Sequence, residues 1–262
     1  MTLMDKILKC EYKYIECFCN RTVKQDLIRF WDELIPDMYY HNFTWIKSIK
    51  DDIALAQLIE SEITNCINKG NDFCLIRCDS PVNKSILTSL SYFPEVSVAG
   101  WYAFDVSSFP ELEGVSDCRI LKVDKPEMLE AVLLLDLEHD EASLGRDFCT
   151  RRVYRRKDIY LSNENVNSYL YYHNGEAVGN CELSIFGDIA KIENFAIAPR
   201  EQGKGYGMAM LNALITIAIE KSVTTIYLEA DEDDTAKNMY IKRGFSKVCE
   251  FTDLLFHFLK RL

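Results

Sequence analysis

The segment from Ile192 to Gly207 reads Ile-Glu-Asn-Phe-Ala-Ile-Ala-Pro-Arg-Glu-Gln-Gly-Lys-Gly-Tyr-Gly and is the most informative part of the chain. Its apolar first half is typical of a strand that stops at Pro199. A polar loop with three alternating glycines then leads into a long apolar helix pattern. Such a loop aims backbone N–H groups and the positive end of a helix dipole at one point. Because an anion can bind there, we expect a phosphate-bearing ligand.

The composition is that of a globular protein and restricts the possible partners. Of 262 residues, 48% are hydrophobic and 27% are charged, and the formal net charge of −11 is spread over both halves. This charge disfavours nucleic-acid binding and favours cationic partners such as amines. Neither a signal peptide nor a membrane-spanning run is visible, and the ten cysteines match no metal-site spacing. We therefore expect a reduced, cytoplasmic protein with no metal, membrane or nucleic-acid partner, and its oligomeric state stays open.

The second half of the chain predicts a mixed sheet with helices. Asn174-Gly175 is a strong hairpin signal between two strand patterns, because both residues tolerate a positive φ. Gly187-Asp188 predicts a second tight connection, and Gly244 predicts the end of a helix. The predicted elements are strands at Cys118–Val123, Val166–His173, Ala177–Ile185, Ile189–Ala198, Thr224–Leu228 and Lys247–Phe258, and helices at Pro126–Glu138, Gly207–Lys221 and Thr235–Arg243.

The first half shows an echo of the second. Helix, strand, helix and strand patterns follow one another at Ala54–Ile67, Asp72–Arg77, Val82–Leu90 and Val96–Val106. Asp79 precedes Phe93 by 14 positions, as Asp231 precedes Phe245. This copy lacks the glycine loop and has Thr88 where the second half has Tyr240. With a boundary in the polar stretch 107–114, we predict a degenerate scaffold domain at 1–115 and a catalytic domain at 116–262.

The glycine loop is compatible with only one of three nucleotide-loop patterns. A P-loop fails because Gly205 follows Lys204, and the dinucleotide fingerprint fails at its third glycine. The pattern Q/R-x-x-G-x-G/A is satisfied by Gln202, Gly205 and Gly207. With the strand before it and the segment 228–245 after it, the region from about 116 to 262 resembles the GCN5-related N-acetyltransferase (GNAT) family, which uses acetyl-coenzyme A (acetyl-CoA). A plain glycine-rich turn is the alternative.

The resemblance implies an α/β fold with a mixed sheet, in two tandem GNAT-like domains, and a set of cofactor contacts. The backbone of Phe195, Ala196 and Ile197 would hold the pantetheine arm, with the Ile197 amide facing the thioester oxygen. Asp233 stands where many members have an asparagine. The implied pyrophosphate contacts are the amides of Gln202, Gly203, Lys204, Gly205, Tyr206 and Gly207, with Lys204 and Arg200 adding charge at the rim.

Two catalytic residues are implied with different support. Tyr240 matches the family's general acid, since a phenol can return a proton to the coenzyme A thiolate at neutral pH. Glu193, on the same strand face as Lys191 and Phe195, is the candidate general base, although a structural, ion-paired glutamate is an equal alternative. Glu182 and Asp140 are poorer candidates, and no histidine is assigned. Basic residues at 151, 152, 155, 156 and 157 predict either a solvated helix face or a site for an acidic acceptor.

The expected activity is therefore acetyl transfer from acetyl-CoA to a primary amine by direct attack. The alternative is a non-catalytic sensor or interaction module that binds acyl-CoA on the same fold. Longer acyl donors also stay open. The acceptor is not identified, and polyamines, amino sugars, amino acids and protein amines are all candidates.

Overall fold

The computed structural model describes residues 1–109 and 118–258. In chain order the helices and strands are α1 (Leu3–Glu16), β1 (Asn20–Val23), β2 (Leu27–Trp31), β3 (Phe43–Ile46), α2 (Asp52–Asn68), β4 (Phe73–Cys78), α3 (Lys84–Ser89), β5 (Glu95–Asp105), β6 (Cys118–Lys122), α4 (Met128–Leu144), α5 (Arg146–Ser162), β7 (Val166–His173), β8 (Glu176–Phe186), β9 (Ile189–Ile197), α6 (Tyr206–Glu220), β10 (Thr225–Asp231), α7 (Lys237–Arg243) and β11 (Ser246–His257). The predicted mixed α/β architecture is confirmed.

The chain divides into two compact units that are discontinuous in sequence. The glycine-loop unit comprises Met1–Phe18, Tyr102–Glu229 and Asn238–Lys247. The second unit comprises Cys19–Trp101, Ala230–Lys237 and the residues from Val248 onward. Each unit thus contains segments from both predicted domains. The predicted boundary between residues 115 and 116 lies outside the described residues and stays a prediction.

Both units contain a strand–helix–strand motif with parallel strands, which goes beyond the helix, strand, helix and strand order that the sequence echo predicts. In the glycine-loop unit the strand order is β10-β9-β8-β7-β6, and only β9 and β10 among these neighbours run parallel. In the second unit the order is β1-β2-β3-β4-β11, with β3 and β4 parallel. The helices that connect the parallel pairs are α6 and α2. The two units therefore share a topology around these pairs.

The glycine turns form as predicted. Asn174 has φ 49° and Gly175 has φ 84°, so both residues of the β7–β8 turn adopt the left-handed conformation that this hairpin requires. Gly187, between β8 and β9, has φ 74°. These turns fix the order β9-β8-β7 and deliver β9 to its place beside β10.

Helix α6 is the central buried helix of the glycine-loop unit. Its side chains Met210, Leu211, Leu214 and Ile215 are fully buried. Burying each such side chain contributes about 1.5–3 kcal/mol. The apolar pattern that predicts a buried helix is therefore confirmed, and it anchors the helix that the glycine loop precedes.

The cysteines are free thiols, and Cys74 is a buried apolar residue as expected. Within residues 1–109 and 118–258, no three His, Cys, Asp or Glu side chains are grouped as metal ligands would be. In the same part of the chain, no helix has both the length and the apolar character needed to cross a membrane.

Candidate active site

The glycine loop takes its shape from backbone conformations that favour glycine. Gly203 has φ 78° and Gly205 has φ 87°, and a Cβ atom built at either position would meet no heavy atom within 4 Å. Glycine is needed there for the left-handed backbone, and the surface above it is open. Gly207 differs, because a Cβ atom would approach the Met239 sulfur to 3.0 Å. Gly207 therefore also allows close packing against Met239.

The loop delivers the first turn of α6 without a side-chain cap. Gly205 is the N-cap residue and, since it has no side chain, it makes no cap hydrogen bond to the first turn. The first N–H groups of this 15-residue helix point beyond its end, where the helix dipole is positive. This arrangement suits an anionic group.

The corresponding helix of the second unit is closed to an anion. Asp51 caps α2, and its Oδ1 accepts hydrogen bonds from Ile53 N at 2.8 Å and from Ala54 N at 3.2 Å. The carboxylate occupies the place and supplies the charge that a phosphate would bring. The second unit therefore keeps the topology without an open anion site at this helix.

The positive side chains near the glycine loop are already paired. Lys204 Nζ lies 2.9 Å from the Glu201 carboxylate, and Arg200 contacts Glu138. Both cations are about half exposed. They can contribute at the rim, but a phosphate would have to compete with these carboxylates. The backbone is the stronger anion-binding feature.

The parallel pairing of β9 with β10 stops before the end of either strand. The register runs up to the pair Ile192 and Leu228, whereas β9 continues to Ile197 and β10 to Asp231. The equivalent pair in the second unit runs to the last residues of both strands, Ile46 and Cys78. The glycine-loop unit therefore has an extended strand segment that the second unit lacks.

The N–H groups of this segment have defined directions. Ala198 N donates to Val178 O of the β8 side at 2.9 Å. Since successive N–H groups of a strand point to opposite sides, that of Ile197 points away from β8, and that of Ala196 points toward it. Ile197 can thus pair with an extended ligand, as the sequence predicts for the pantetheine arm. The contact predicted for Phe195 stays a prediction.

A β-bulge interrupts β9 just before this segment. The β8–β9 register shifts between the pairs Asn180–Ala196 and Glu182–Glu193, and Asn194 has φ 47°. Strict alternation from Glu193 to Phe195 therefore does not hold. The sequence analysis missed the bulge. The one available signal is the asparagine, which tolerates a left-handed conformation in an otherwise apolar strand.

Glu193 lies in a half-buried, charged environment. Its Oε2 is 2.7 Å from Lys191 Nζ, and 31% of its side chain is exposed. Burial raises the pKa of Glu193, Lys191 opposes the rise, and Glu229 reinforces it. The net upward direction makes this carboxylate a stronger base than a solvated glutamate, and its partial exposure leaves it accessible.

Tyr240 is brought against the extended segment of β9. Its ring lies 6.0 Å from the Phe195 ring in an edge-to-face arrangement and 6.1 Å from the Phe245 ring, between centroids. Phe245 N donates to the Tyr240 carbonyl at 3.0 Å, and Gly244 has φ 107°. The glycine-ended helix thus holds the tyrosine beside the strand that is expected to bind the thioester.

Glu182 is a buried structural acceptor. It accepts hydrogen bonds from Tyr14 at 2.8 Å and from Arg156 at 2.6 Å, and also from Tyr160 and Asn194. These four donors occupy both oxygens of the buried carboxylate. This environment argues against Glu182 as the base.

The prediction of a solvated basic face on α5 is wrong for Arg152 and Arg156. Arg156 is 7% exposed and pairs with Glu182. Arg152 donates to Asp136 at 2.8 Å and to Asp140 at 2.5 Å. These arginines face inward because the sheet and α4 present carboxylates to them, which a helical-spacing argument does not reveal.

A cavity of about 220 Å³ adjoins the bulge. Asp136 Oδ2 is buried there and has no hydrogen-bond partner among the described residues. His139 Nε2 lies 2.8 Å from the Ile197 carbonyl oxygen, so this nitrogen donates to the strand. The sequence analysis assigned no histidine and missed this contact. The cavity is lined by Leu135, Asp136, His139, Asp140, Arg152, Asn180, Asn194, Phe195 and Ala196.

Asp233 and Gln202 make local hydrogen bonds. Asp233, in the second unit, donates its N–H to Asp231 Oδ1 at 2.8 Å, which shapes the turn after β10. Gln202 Nε2 donates to the Ile197 carbonyl at 3.2 Å. The Gln202 side chain therefore ties the glycine loop to the end of β9.

Comparisons with known proteins agree with this geometry. Residues 133–245 match the model of the acetyltransferase (GNAT) family. The chain is 35% identical over 91 residues to the [Ribosomal protein bS18]-alanine N-acetyltransferase of Haemophilus influenzae (strain ATCC 51907 / DSM 11121 / KW20 / Rd). That match covers 34% of this chain and 62% of the relative, so the chain spans less than two thirds of the relative's length.

Solved structures share the fold over nearly the whole chain. A functionally unknown conserved protein from Staphylococcus epidermidis ATCC 12228 has a TM-score of 0.78 at 16% identity, covering 95% of this chain and 98% of its own. A GCN5-related N-acetyltransferase from Kribbella flavida has a TM-score of 0.71 at 12% identity, covering 98% and 96%. A tandem GNAT protein from the clavulanic acid biosynthesis pathway has a TM-score of 0.55 at 10% identity, covering 88% and 78%.

The fold is that of GNAT acetyltransferases, and the prediction of two GNAT-like halves is confirmed at the level of the fold. Within it, residues 133–245 are the part of the chain that is similar in sequence to the acetyltransferase (GNAT) family.

Proposed function

We propose that the protein transfers an acetyl group from acetyl-CoA to a primary amine. The observation that carries the proposal is the combination of an open glycine loop, with no side-chain cap on α6, and an N–H group of Ile197 that points away from β8. The relative from H. influenzae is named as an N-acetyltransferase of an alanine, which supports an amine acceptor in this family.

The residues present fit acetyl-CoA. Gly203 and Gly205 leave open space above a backbone that presents N–H groups, so a diphosphate can approach it. The segment from Phe195 to Ile197 would hold the pantetheine arm, and Ala196 belongs to this segment as the residue between the other two. Asp233 stays a proposed cofactor contact. The further proposed contacts are Gln202, Lys204, Tyr206 and Gly207.

The proposed chemistry divides among three groups of this chain. Acetyl-CoA supplies the acetyl group as a thioester. Glu193 would accept the proton that the amine loses as its nitrogen bonds to the acetyl carbon. The Ile197 N–H would donate to the carbonyl oxygen as negative charge develops there. Tyr240 would give a proton to the sulfur as the carbon–sulfur bond breaks, so no covalent enzyme intermediate is required.

The cavity beside the bulge supports an acceptor that carries positive charge. Asp136 and Asp140 contribute two carboxylates against one guanidinium from Arg152. The cavity is below the roughly 300–1,000 Å³ usual for drug-sized ligands, which favours a small amine group.

The test is release of free thiol from acetyl-CoA across a panel of primary amines. Release with at least one amine, together with binding of coenzyme A, is the expected result. Binding without release from any amine in the panel would favour the non-catalytic sensor instead. Absence of binding at millimolar coenzyme A would overturn the proposal as a whole.

A further inference from the structure

The first helix of the chain is part of the glycine-loop unit. Helix α1 lies more than a hundred positions before the loop in sequence, yet Met1–Phe18 clusters with it. Thr2 and Asp5 form a capping box, so the helix start is locally specified. The buried face of α1 contains Glu11 and Tyr14 as well as apolar residues. A helix that served only as a cover would not need to bury a carboxylate.

Glu11 is connected to β9 and β10. Its Oε1 lies 2.9 Å from Lys191 Nζ, and its Oε2 accepts a hydrogen bond from Tyr227 at 2.8 Å. Glu11 and Lys191 are each 3% exposed. At this burial the two charges depend on each other, because an unpaired charge there would be costly.

Lys191 divides its charge between Glu11 and Glu193. Its Nζ lies 2.7 Å from Glu193 Oε2, and it lies 4.3 Å from the centroid of the Tyr14 ring. The ammonium is thus surrounded by two carboxylates and an aromatic face. Because Glu11 and Glu193 share one ammonium group, the interaction of Lys191 with Glu11 weakens its stabilisation of the Glu193 carboxylate.

We propose that α1 is a positioning element of the acyl-transfer site, in which Glu11 shares Lys191 with Glu193 and thereby sets how strongly Glu193 holds a proton. The inference rests on the proposed role of Glu193 as the base. Glu11 touches no substrate in this account, and it acts through Lys191.

The direction of the effect follows from the charges that face Glu193. These are Lys191 on its own strand, Glu229 on β10, and Glu11 and Tyr14 on α1. Lys191 lowers the pKa of Glu193, whereas Glu229 and Glu11 raise it. Removing the Glu11 charge would eliminate one repulsion and leave Lys191 entirely to Glu193. Both changes lower the pKa of Glu193 and make it a weaker base.

The experiment is a ¹³C NMR titration of the Glu193 carboxyl in the full-length protein, compared with Glu11→Gln. We expect the Glu193 midpoint to fall in Glu11→Gln, by up to roughly one pH unit, which is the order of shift that a neighbouring charge produces. The acid limb of kcat/KM for thiol release should fall by the same amount. If Glu11→Gln does not fold, Glu11→Asp replaces it in the experiment. The shorter side chain keeps the charge but moves it away from Lys191, so we expect a smaller shift in the same direction.

The matched control is Lys6→Gln on the same helix. Lys6 Nζ lies 2.6 Å from Asp188, an exposed pair that also joins α1 to the β8–β9 turn. This variant should leave the Glu193 midpoint unchanged. Equal shifts in Lys6→Gln and Glu11→Gln would show that α1 acts only by packing against the unit, which would contradict the inference. The absence of a shift in both Glu11 variants would also overturn it. Failure of the wild type to release thiol would overturn the proposed function separately.

Discussion

At the residue scale, the account depends on glycines that hold a left-handed backbone under an open surface. Gly205 has φ 87° and Gly70, in the second unit, has φ 73°, and neither would bring a Cβ atom within 4 Å of another group. The two positions therefore carry the same backbone strain on substitution. Only one of them lies in the proposed diphosphate site.

Gly205→Ala should weaken coenzyme A binding by at least tenfold in calorimetry. The left-handed conformation costs a non-glycine residue about 1–2 kcal/mol, so the loop should distort or the helix end should change direction. Gly70→Ala is the control: it should lower thermal stability comparably and leave binding unchanged. Equal affinity in Gly205→Ala and the wild type would contradict the proposed loop function.

Tyr240→Phe should lower kcat for thiol release by about a hundredfold, the lower end of the range for a general acid. The substitution keeps the ring contacts with Phe195 and Phe245, so binding of coenzyme A should persist. Steady-state kinetics and calorimetry on the same preparation separate the two effects. An unchanged kcat would remove Tyr240 from the chemistry.

Glu193→Gln should lower kcat/KM by about a hundredfold and abolish its acid limb. In the wild type, activity should be lost as the pH is lowered, because the protonated carboxyl cannot accept the amine proton. Since the pKa of Glu193 is raised, this loss should occur at a higher pH than an ordinary glutamate would give. A pH profile of thiol release measures both effects. Glu220→Gln, at the exposed end of α6, is the control and should match the wild type.

At the element scale, local signals predicted most of the elements around the site. The hairpin at Asn174-Gly175 and the apolar helix after Gly205 are specified by neighbouring residues, so a sequence pattern suffices. The bulge at Asn194 was not predictable, because a register shift depends on how β8 and β9 pair. The contact between His139 and the Ile197 carbonyl is also non-local, since it joins residues 58 positions apart.

The inward arginines illustrate the same limit. Helical spacing showed that Arg152 and Arg156 share a region of α5, and a solvated face was the expected interpretation. Their carboxylate partners come from α4 and β8, and only the fold brings these together. Residue spacing shows which side chains of a helix point in the same direction. Whether they are buried depends on the neighbouring element that faces them.

At the scale of the whole molecule, the two units share a topology but differ in the features that a ligand needs. In the second unit, β3 and β4 pair up to their last residues, and Asp51 caps α2. In the glycine-loop unit, β9 continues past its last pair with β10, and α6 has no side-chain cap. We therefore propose a scaffold role for most of the first half. The exception is α1, which belongs to the glycine-loop unit.

A fragment of residues 116–262 should not fold to the native state. Without α1 it would lose the buried pair of Lys191 with Glu11 and the apolar burial of Ile7 and Ile15, and burying each such isoleucine contributes about 1.5–3 kcal/mol. Circular dichroism melting of the fragment is the measurement. A cooperative melt with coenzyme A binding equal to that of the full chain would show that residues 116–262 form an independent domain.

The most direct test of the central claim is an amide ¹H–¹⁵N titration with coenzyme A. We predict large shifts at the amides of Phe195, Ile197 and Gly205, which are proposed cofactor contacts, and a small shift at Ala198, whose N–H donates to Val178. The absence of shifts at all three amides at millimolar coenzyme A would contradict the account.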